Sequence, residues 1–171
     1  EEGIRDLYAG ALAVLPIENG PVIVTLSPRL EYIWTEEAKN ADHKLERLLW
    51  LFRKAGKTFP WRGWVLASDA IRISSVGSPD WNDPVDHSYD TYVKEVLEPR
   101  ELDGLHATLK PLDVFIDLVD HTSGIVFDGF AGSGTTLIAC QKLGRTARAI
   151  ELSPEYSAVI LERYYNEAGI K

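Results

Sequence analysis

The chain has 171 residues, of which 45% are hydrophobic and 26% are charged, a balance that is typical of one globular domain and excludes a disordered or fibrous protein. The formal net charge of −8 argues against a uniformly cationic nucleic-acid binder, although it leaves room for a local basic face. The sequence contains no apolar run of the roughly 20 residues that span a bilayer and begins without a signal-peptide pattern, so we expect a soluble, cytoplasmic protein without a membrane partner.

Sulfur-containing residues are scarce. Cys140 is the one cysteine, and the chain has no methionine. A single thiol forms neither an internal disulfide nor a metal cluster, so no metal site is predicted, and the apolar neighbours of Cys140 indicate a small buried side chain. The missing initiator methionine suggests that the chain starts inside a longer gene product.

The first part of the chain, residues 1–76, is predicted to form helix, strand, helix and hairpin. Apolar residues recur every three or four positions from Ile4 to Leu15, which indicates an amphipathic helix. The β-branched run Pro21–Ser27 predicts a strand that is buried on both faces. A second helix is predicted from Asp42, as its cap, to Gly56. The apolar side of this helix consists of Leu45, Leu48, Leu49 and Phe52.

The hairpin is predicted from two apolar segments, Trp64–Ala67 and Ala70–Ser74. Only two residues separate them, a connection that is short enough for an antiparallel pair. The following stretch, residues 77–104, begins with a dense cluster of turn-forming residues at Gly77–Pro84 and has weak periodicity afterwards. We interpret this stretch as a loop or insertion.

The last third of the chain alternates between helices and strands, which is typical of a doubly wound α/β fold. Its predicted elements are a helix that opens at Pro111, a strand at Ile125–Phe127, a helix at Thr135–Leu143, a strand at Ala147–Ile150, and a helix that begins at Pro154 with Ser153 as its cap.

A glycine-rich turn, Asp128–Thr136, lies between a predicted buried strand and a helix, where glycines let the backbone turn tightly and approach a ligand. Gly129 and Gly134 have Walker A spacing, but Thr135 stands where that motif requires a lysine for polyphosphate. The order of the glycines also departs from the G-x-G-x-x-G of dinucleotide sites. Glu151, at the end of the next strand, is placed to accept hydrogen bonds from ribose hydroxyls. A nucleoside without polyphosphate fits best, and a purely structural turn is the alternative.

The same residues, DGFAGSGTT, resemble the D-P-F-x-G-S-G-T-T cofactor loop of DNA adenine-N6 and cytosine-N4 methyltransferases. His106–Pro111 is similar to the H-P-T-x-K-P segment that precedes this loop in permuted members of the family, and Ala149–Tyr156 resembles their G-I-E-x-x-P-x-Y. The three motifs follow the family's order between Gly104 and Lys171. The resemblance implies a Rossmann-like α/β methyltransferase fold with a mostly parallel sheet and an antiparallel hairpin near its C-terminal side.

The resemblance also implies S-adenosylmethionine as the cofactor. Glu151 would bind the ribose hydroxyls, and Thr108 would lie near the methionine carboxylate. Gly129 and Ala107 replace prolines of the family pattern, which loosens each turn without removing a ligand group. For His106, a structural place at the start of a helix explains the residue at least as well as a ligand contact. The other cofactor-binding residues would be Asp128, Phe130, Ala131, Gly132, Ser133, Gly134 and Thr135.

The family's catalytic motif is an Asp, Asn or Ser followed by two prolines and an aromatic residue, and no segment of these 171 residues matches it. In that motif the polar residue and a proline carbonyl accept hydrogens from the amine of a flipped base, and the ring stacks on the base. Ser78–Trp81 approximates the pattern but lacks the second proline, so we interpret it as a turn. The catalytic residues are therefore unknown.

In permuted members the catalytic strand lies upstream of the segments found here. Residues 1–76 would then form the second half of the methyltransferase sheet, residues 77–104 a recognition insertion, and residues 105–171 the cofactor-binding part, all within one structural domain. The third and fourth strands would be missing, so the exposed sheet edges would need the absent N-terminal segment or a second copy.

These inferences lead to a function for the intact gene product and another for the chain alone. We expect the intact protein to transfer methyl groups from S-adenosylmethionine to amino groups of DNA, in the manner of restriction-modification methyltransferases, and the isolated chain to be inactive. The alternatives are a noncatalytic S-adenosylmethionine-binding or assembly subunit, and a methyltransferase that acts on small molecules or RNA.

Overall fold

The computed structural model describes residues 2–15, 18–53, 68–82, 90–94 and 109–168. The chain divides into two compact units, the first formed by residues 1–80 and 89–95 and the second by residues 81–88 and 96–171. None of the helices within the described ranges has the length and apolar character needed to cross a membrane.

The first unit is built on a four-stranded sheet with the order β1-β3-β2-β4. In chain order the strands are β1 Gly20–Leu26, β2 Lys44–Arg53, β3 Ser68–Val76 and β4 Thr91–Lys94. The third strand lies between the first two and is antiparallel to both, whereas β4 is parallel to β2. This sheet is therefore mixed rather than mostly parallel, because β3 runs against both of its neighbours.

Two helices accompany this sheet, α1 Glu2–Val14 and α2 Glu31–Asn40. Arg5 of α1 donates hydrogen bonds to Glu36 and Glu37 of α2, at 2.6 and 2.9 Å. The rings of Tyr8 and Trp34 meet edge to face with centroids 5.3 Å apart, and both helices contribute to one core with β1. The predicted first helix and first strand are confirmed as elements, but the buried residues of β1, Val22 and Leu26, lie on one face of the strand and not on both. The buried residues of this core are Leu12, Val22, Leu26, Trp34 and Ala38.

The helix predicted from Asp42 to Gly56 is wrong, because Lys44–Arg53 forms β2. The run Leu48–Phe52 is apolar at every position, so its residues satisfy helical spacing and also the two faces of a buried strand. Pairing with β3 along the length of the segment decides for the strand. The helix that precedes this strand, α2, lies upstream of the predicted position.

The predicted turn of the hairpin is also wrong. Ser68 and Asp69 belong to β3, where they pair with Phe52 and Leu51 of β2. The strand β3 thus pairs antiparallel with β2 as well as with β1, and the segment Trp64–Ala67 lies outside the described residues. Within residues 77–104, interpreted as a loop or insertion, Thr91–Lys94 forms the short strand β4 on the edge of the sheet.

The second unit contains α3 Leu112–Asp120, β5 Val126–Asp128, α4 Thr135–Lys142, β6 Ala147–Ala149 and α5 Pro154–Ala168. Each lies within about two residues of its predicted position. Ser153 caps α5 as predicted, since its Oγ accepts a hydrogen bond from the N–H of Tyr156 at 3.3 Å. Cys140 is fully buried in the small core between α3 and α4, which confirms its interpretation as a packed apolar side chain. Burial raises the pKa of its thiol.

Candidate cofactor site

The site forms where β5 and β6 end. These two strands are parallel, so their carboxyl ends lie at the same edge, which is where open α/β sheets bind ligands. Beyond the strands, the N–H of Ile150 donates to the carbonyl of Asp128 at 2.9 Å, and the N–H of Ala131 donates to the carbonyl of Ile150 at 3.1 Å. The two chain segments therefore stay together as they leave the sheet.

The turn after β5 depends on two glycines in the left-handed region. The φ angles of Gly132 and Gly134 are 54° and 77°. Space also disfavours a larger residue at Gly134, because a Cβ there would lie 3.0 Å from Cγ1 of Ile160 on α5 and that side chain would have to shift. The N–H of Gly134 donates to the carbonyl of Ala131 at 2.7 Å, which closes the turn that leads into α4.

Glu151 connects the turn to the end of β6. Its Oε2 accepts a hydrogen bond from the N–H of Gly132 at 2.7 Å, and its Oε1 accepts one from the N–H of Ser153 at 2.9 Å. Gly132 and Glu151 lie 19 positions apart in the sequence. The structure nevertheless places Glu151, the residue predicted to bind the ribose, against the predicted glycine loop. The carboxylate is thereby held at the edge of the site.

Exposed apolar side chains lie within two positions in the sequence of the two carboxylates of the candidate site. Asp128 accepts a hydrogen bond from the N–H of Phe130 at 3.0 Å, and the Phe130 side chain is 72% exposed. Ile150 and Leu152, which flank Glu151, are 58% and 96% exposed. An apolar surface with a few placed polar groups is characteristic of small-molecule sites. The sequence prediction omitted Ile150 and Leu152, although two apolar residues around a strand-end acid could have indicated them.

The predicted residues fall into three groups in the structure. Asp128, Phe130 and Glu151 offer side chains at the edge of the site, and Gly132 offers its backbone. Thr108 and His106 lie outside the described residues. The third group is buried and consists of Ala131, Ser133, Gly134 and Thr135.

One basic residue that sequence reasoning missed lies behind the loop. Arg163 of α5 donates a hydrogen bond from Nη1 to the carbonyl of Ser133. Burial lowers the pKa of this guanidinium, and the nearby carboxylate of Glu167 opposes that shift. The sequence signal for Arg163 was its position four residues after the apolar residue Val159. This spacing puts both residues on one face of a helix, and Val159 is buried.

The segment that approximates a catalytic motif lies at the other end of β5. Trp81 forms an isolated antiparallel bridge with Thr122, ahead of the strand. The N–H of Asn82 donates to the carbonyl of His121 at 3.1 Å, and its side-chain amide donates to the carbonyl of Asp120 at 2.6 Å. These bonds satisfy carbonyls at the end of α3, whereas the glycine loop follows the opposite end of β5.

Comparison with known proteins gives the family. The profile of the DNA methylase family that groups adenine-N6 and cytosine-N4 enzymes matches residues 26–162. The chain belongs to the DNA methylase family. This match confirms the family that the glycine loop and its flanking motifs indicated. The family depends on S-adenosylmethionine, so the cofactor prediction is confirmed at the level of the family.

Individual relatives agree with the DNA methylase family. The Type II methyltransferase M.HindIII of Haemophilus influenzae is 37% identical over an alignment of 148 residues, and the match covers 64% of this chain and 46% of that enzyme. The chain thus spans about half the length of this curated relative.

Three solved structures share the fold. M1.HpyAVI in complex with SAM has a TM-score of 0.76 at 23% identity, covering 94% of this chain and 81% of that one. The protein TTHA0409 of Thermus thermophilus, complexed with S-adenosyl-L-methionine, has a TM-score of 0.68 at 16% identity, covering 99% and 78%. The cytosine-N4-specific PvuII DNA methyltransferase has a TM-score of 0.73 at 16% identity, covering 85% and 64%.

Proposed function

We propose that this chain is the cofactor-binding and recognition part of a DNA amino-methyltransferase that acts on adenine N6 or cytosine N4. The observation that carries the proposal is the hydrogen bond between the carboxylate of Glu151 and the N–H of Gly132, because it joins the glycine loop to the residue that is predicted to bind the ribose. DNA is the substrate that the family description implies, and the name of the PvuII DNA methyltransferase is consistent with it.

The chemistry of the site fits S-adenosylmethionine. The carboxylates of Asp128 and Glu151 suit a ligand that carries a sulfonium and an ammonium group, and they disfavour a polyphosphate. The exposed side chains of Phe130, Ile150 and Leu152 offer apolar surface to a nucleoside. When bound, this cofactor supplies the methyl group, and the residues of the loop bind and orient it.

The proposal includes a permuted order and two absent strands, the third and fourth of the methyltransferase sheet. Among the described strands, β1 has β3 as its one neighbour and β5 has β6 as its one neighbour, so each has an edge open to a further strand. A second support lies in the core beside β1, where the buried indole N–H of Trp34 has no partner among the described residues. A further segment of the intact protein, or a second copy of the chain, would pair with these open strand edges.

Titration calorimetry with S-adenosylmethionine tests the site. Replacing Glu151 by Ala should weaken binding by about 1 to 3 kcal/mol, the usual loss for a hydrogen bond to a charged group. Glu162→Ala is the matched control, since it removes the same charge from an exposed position on α5 and should leave the affinity unchanged. Equal affinity of the Glu151 variant and the parent would discard the ribose assignment, and a preference for magnesium-ATP would overturn the choice of ligand.

A noncatalytic S-adenosylmethionine-binding or assembly subunit is the second candidate. The absence of the base-binding motif from the 171 residues favours it, because a protein of this kind keeps the loop without the base site. A reading frame that continues upstream into an Asp-Pro-Pro-Tyr type motif would decide for the methyltransferase. Transfer of a tritiated methyl group from S-adenosylmethionine to RNA or to a small molecule, and not to DNA, would show a different acceptor.

A further inference from the structure

One peptide group of the glycine loop is held from both sides. The peptide between Ser133 and Gly134 donates its N–H to the carbonyl of Ala131 at 2.7 Å. Its carbonyl accepts a hydrogen bond from the guanidinium of Arg163. Both partners are within the second unit, and Arg163 belongs to α5, 30 positions further along the chain.

The loop needs such anchors because of its glycines. Glycine adopts positive and negative φ with similar ease, so a peptide next to it rotates at little energetic cost. Gly132 and Gly134 flank Ser133 and both have positive φ. Glu151 holds the loop at the N–H of Gly132, and Arg163 holds it one residue later at the carbonyl of Ser133. An anionic and a cationic side chain thus fix two peptide groups of the loop that are separated by one other peptide group.

We propose that Arg163 is a positioning residue for S-adenosylmethionine, which holds the Ser133 carbonyl so that the loop has its binding conformation before the cofactor arrives. The inference rests on the proposed function and adds to it a residue that does not belong to the loop or to its motifs. A loop ordered in advance binds more tightly, because binding then does not have to restrict it. Arginine remains protonated at neutral pH, so its hydrogen bond to the carbonyl is charge-assisted.

The chain offers a matched control at the other end of β5. Arg145 donates to the carbonyls of Thr122 and Gly124 at 2.6 Å each and to that of Val119 at 3.2 Å. Both arginines therefore bind backbone carbonyls within the same unit, but of the two only Arg163 contacts the cofactor loop. Tyr164→Phe is a milder control on α5, since it removes a hydrogen bond of 2.6 Å to Gln141 of α4.

The experiment measures two properties of Arg163→Met, Arg145→Met and Tyr164→Phe in the full 171-residue chain. Calorimetry should show S-adenosylmethionine binding about tenfold weaker in Arg163→Met and unchanged in both controls. Arg163→Lys, which keeps a charged donor, should recover part of the affinity. Hydrogen exchange on the cofactor-free protein should be faster at the amide of Gly134 in Arg163→Met than in Arg145→Met.

The outcomes separate this inference from the proposed function. Equal affinity in Arg163→Met and the parent, or an equal loss in Arg163→Met and Arg145→Met, would show that Arg163 stabilises the fold without positioning the loop. Exchange at Gly134 that is unaffected by Arg163→Met would also overturn the inference. If the parent chain does not bind S-adenosylmethionine, the proposed function fails, while the exchange measurement still tests whether Arg163 orders the loop.

Discussion

At the scale of single residues, two glycines with positive φ allow the energetic cost of backbone strain to be measured apart from that of steric crowding. Gly134 and Gly144 have φ angles of 77° and 66°, but of the two only Gly134 has an atom of Ile160 3.0 Å from the position of a Cβ. Gly144→Ala should destabilise the protein by about 1 to 2 kcal/mol, the usual cost of left-handed backbone for a residue with a Cβ. Gly134→Ala should destabilise the protein by the same backbone cost and by about 1 to 3 kcal/mol more, because the added methyl group overpacks against Ile160. Urea unfolding measures both free energies.

The same pair tests the conformation of the cofactor loop. A Gly134→Ala variant that is as stable as Gly144→Ala would show that α5 does not pack against the loop as described. A further check removes the two crowding carbons, Cγ1 and Cγ2 of Ile160, since Ile160→Ala should cost less stability in the Gly134→Ala background than in the Gly144→Ala background.

His43 introduces a pH dependence into the first unit. Its side chain is 9% exposed, with Nδ1 3.3 Å from Oγ of Ser74, and burial lowers its pKa from the ordinary value of 6.5. The native protein therefore binds fewer protons than the unfolded chain at mildly acidic pH. This contribution to stability is present above the unfolded-state pKa and is lost as pH falls through the lower folded-state pKa.

The free energy of unfolding should thus decrease from about pH 7.5 toward about pH 5 more steeply in the parent than in a His43→Gln variant. Parallel urea titrations of the two proteins at several pH values measure the difference between their free energies of unfolding. Titratable groups that the two proteins share cancel in this difference. Glu46, whose pKa is lowered chiefly by a hydrogen bond from Ser75, contributes at more acidic pH and is common to both proteins. Identical slopes would contradict a buried neutral imidazole.

Residues of the site differ in how far the sequence reveals them. The glycine loop and Glu151 were predictable because local turn requirements and a strand-end position constrain them. Arg163 was not, because its role depends on α5 lying behind the loop. Leu152 was also missed, since exposure of an apolar side chain is known only once the fold is known.

At the scale of elements, the second unit was predictable because turn-forming residues separate its short helices and strands. The first unit was harder. Lys44–Arg53 contains good helix formers and no glycine or proline, so local propensity favours a helix, whereas long-range pairing with β3 imposes a strand. The hairpin was predicted at the wrong position for the same reason, because the segment that forms β2, an antiparallel partner of β3, had been predicted to form a helix.

Two substitutions in β2 distinguish the strand from the predicted helix. Leu51 lies off the apolar side of the predicted helix but is fully buried in the sheet, whereas Phe52 lies on that side and is 43% exposed. Leu51→Ala should therefore destabilise the protein by about 2 to 5 kcal/mol, as large-to-small core changes do. Phe52→Ala should lose only about 1 kcal/mol, because much of its ring is already in water. Denaturant unfolding in which Phe52→Ala is the more damaging change would favour the helix.

At the scale of the whole molecule, the proposed function predicts that binding of the cofactor and methyl transfer are separable. The candidate site contains the loop and the carboxylates that we propose for the nucleoside, and the 171 residues lack the motif that aligns an exocyclic amine. The chain also spans 46% of M.HindIII. Cofactor affinity is therefore a property to measure on this chain, whereas catalysis depends on residues that we place outside it.

The isolated 171 residues should accordingly transfer no tritiated methyl groups to unmethylated DNA, while a protein that also carries the catalytic motif should. The expectation follows from geometry, since bound cofactor alone neither aligns nitrogen, methyl and sulfur nor stacks a flipped base. Trp81 is a poor substitute for the stacking residue, because its bridge to Thr122 lies ahead of β5 and the cofactor loop follows that strand. Methylation by the chain alone would refute this placement. Loss of that activity in a Trp81→Ala variant that still binds the cofactor would then assign the base site to Ser78–Trp81.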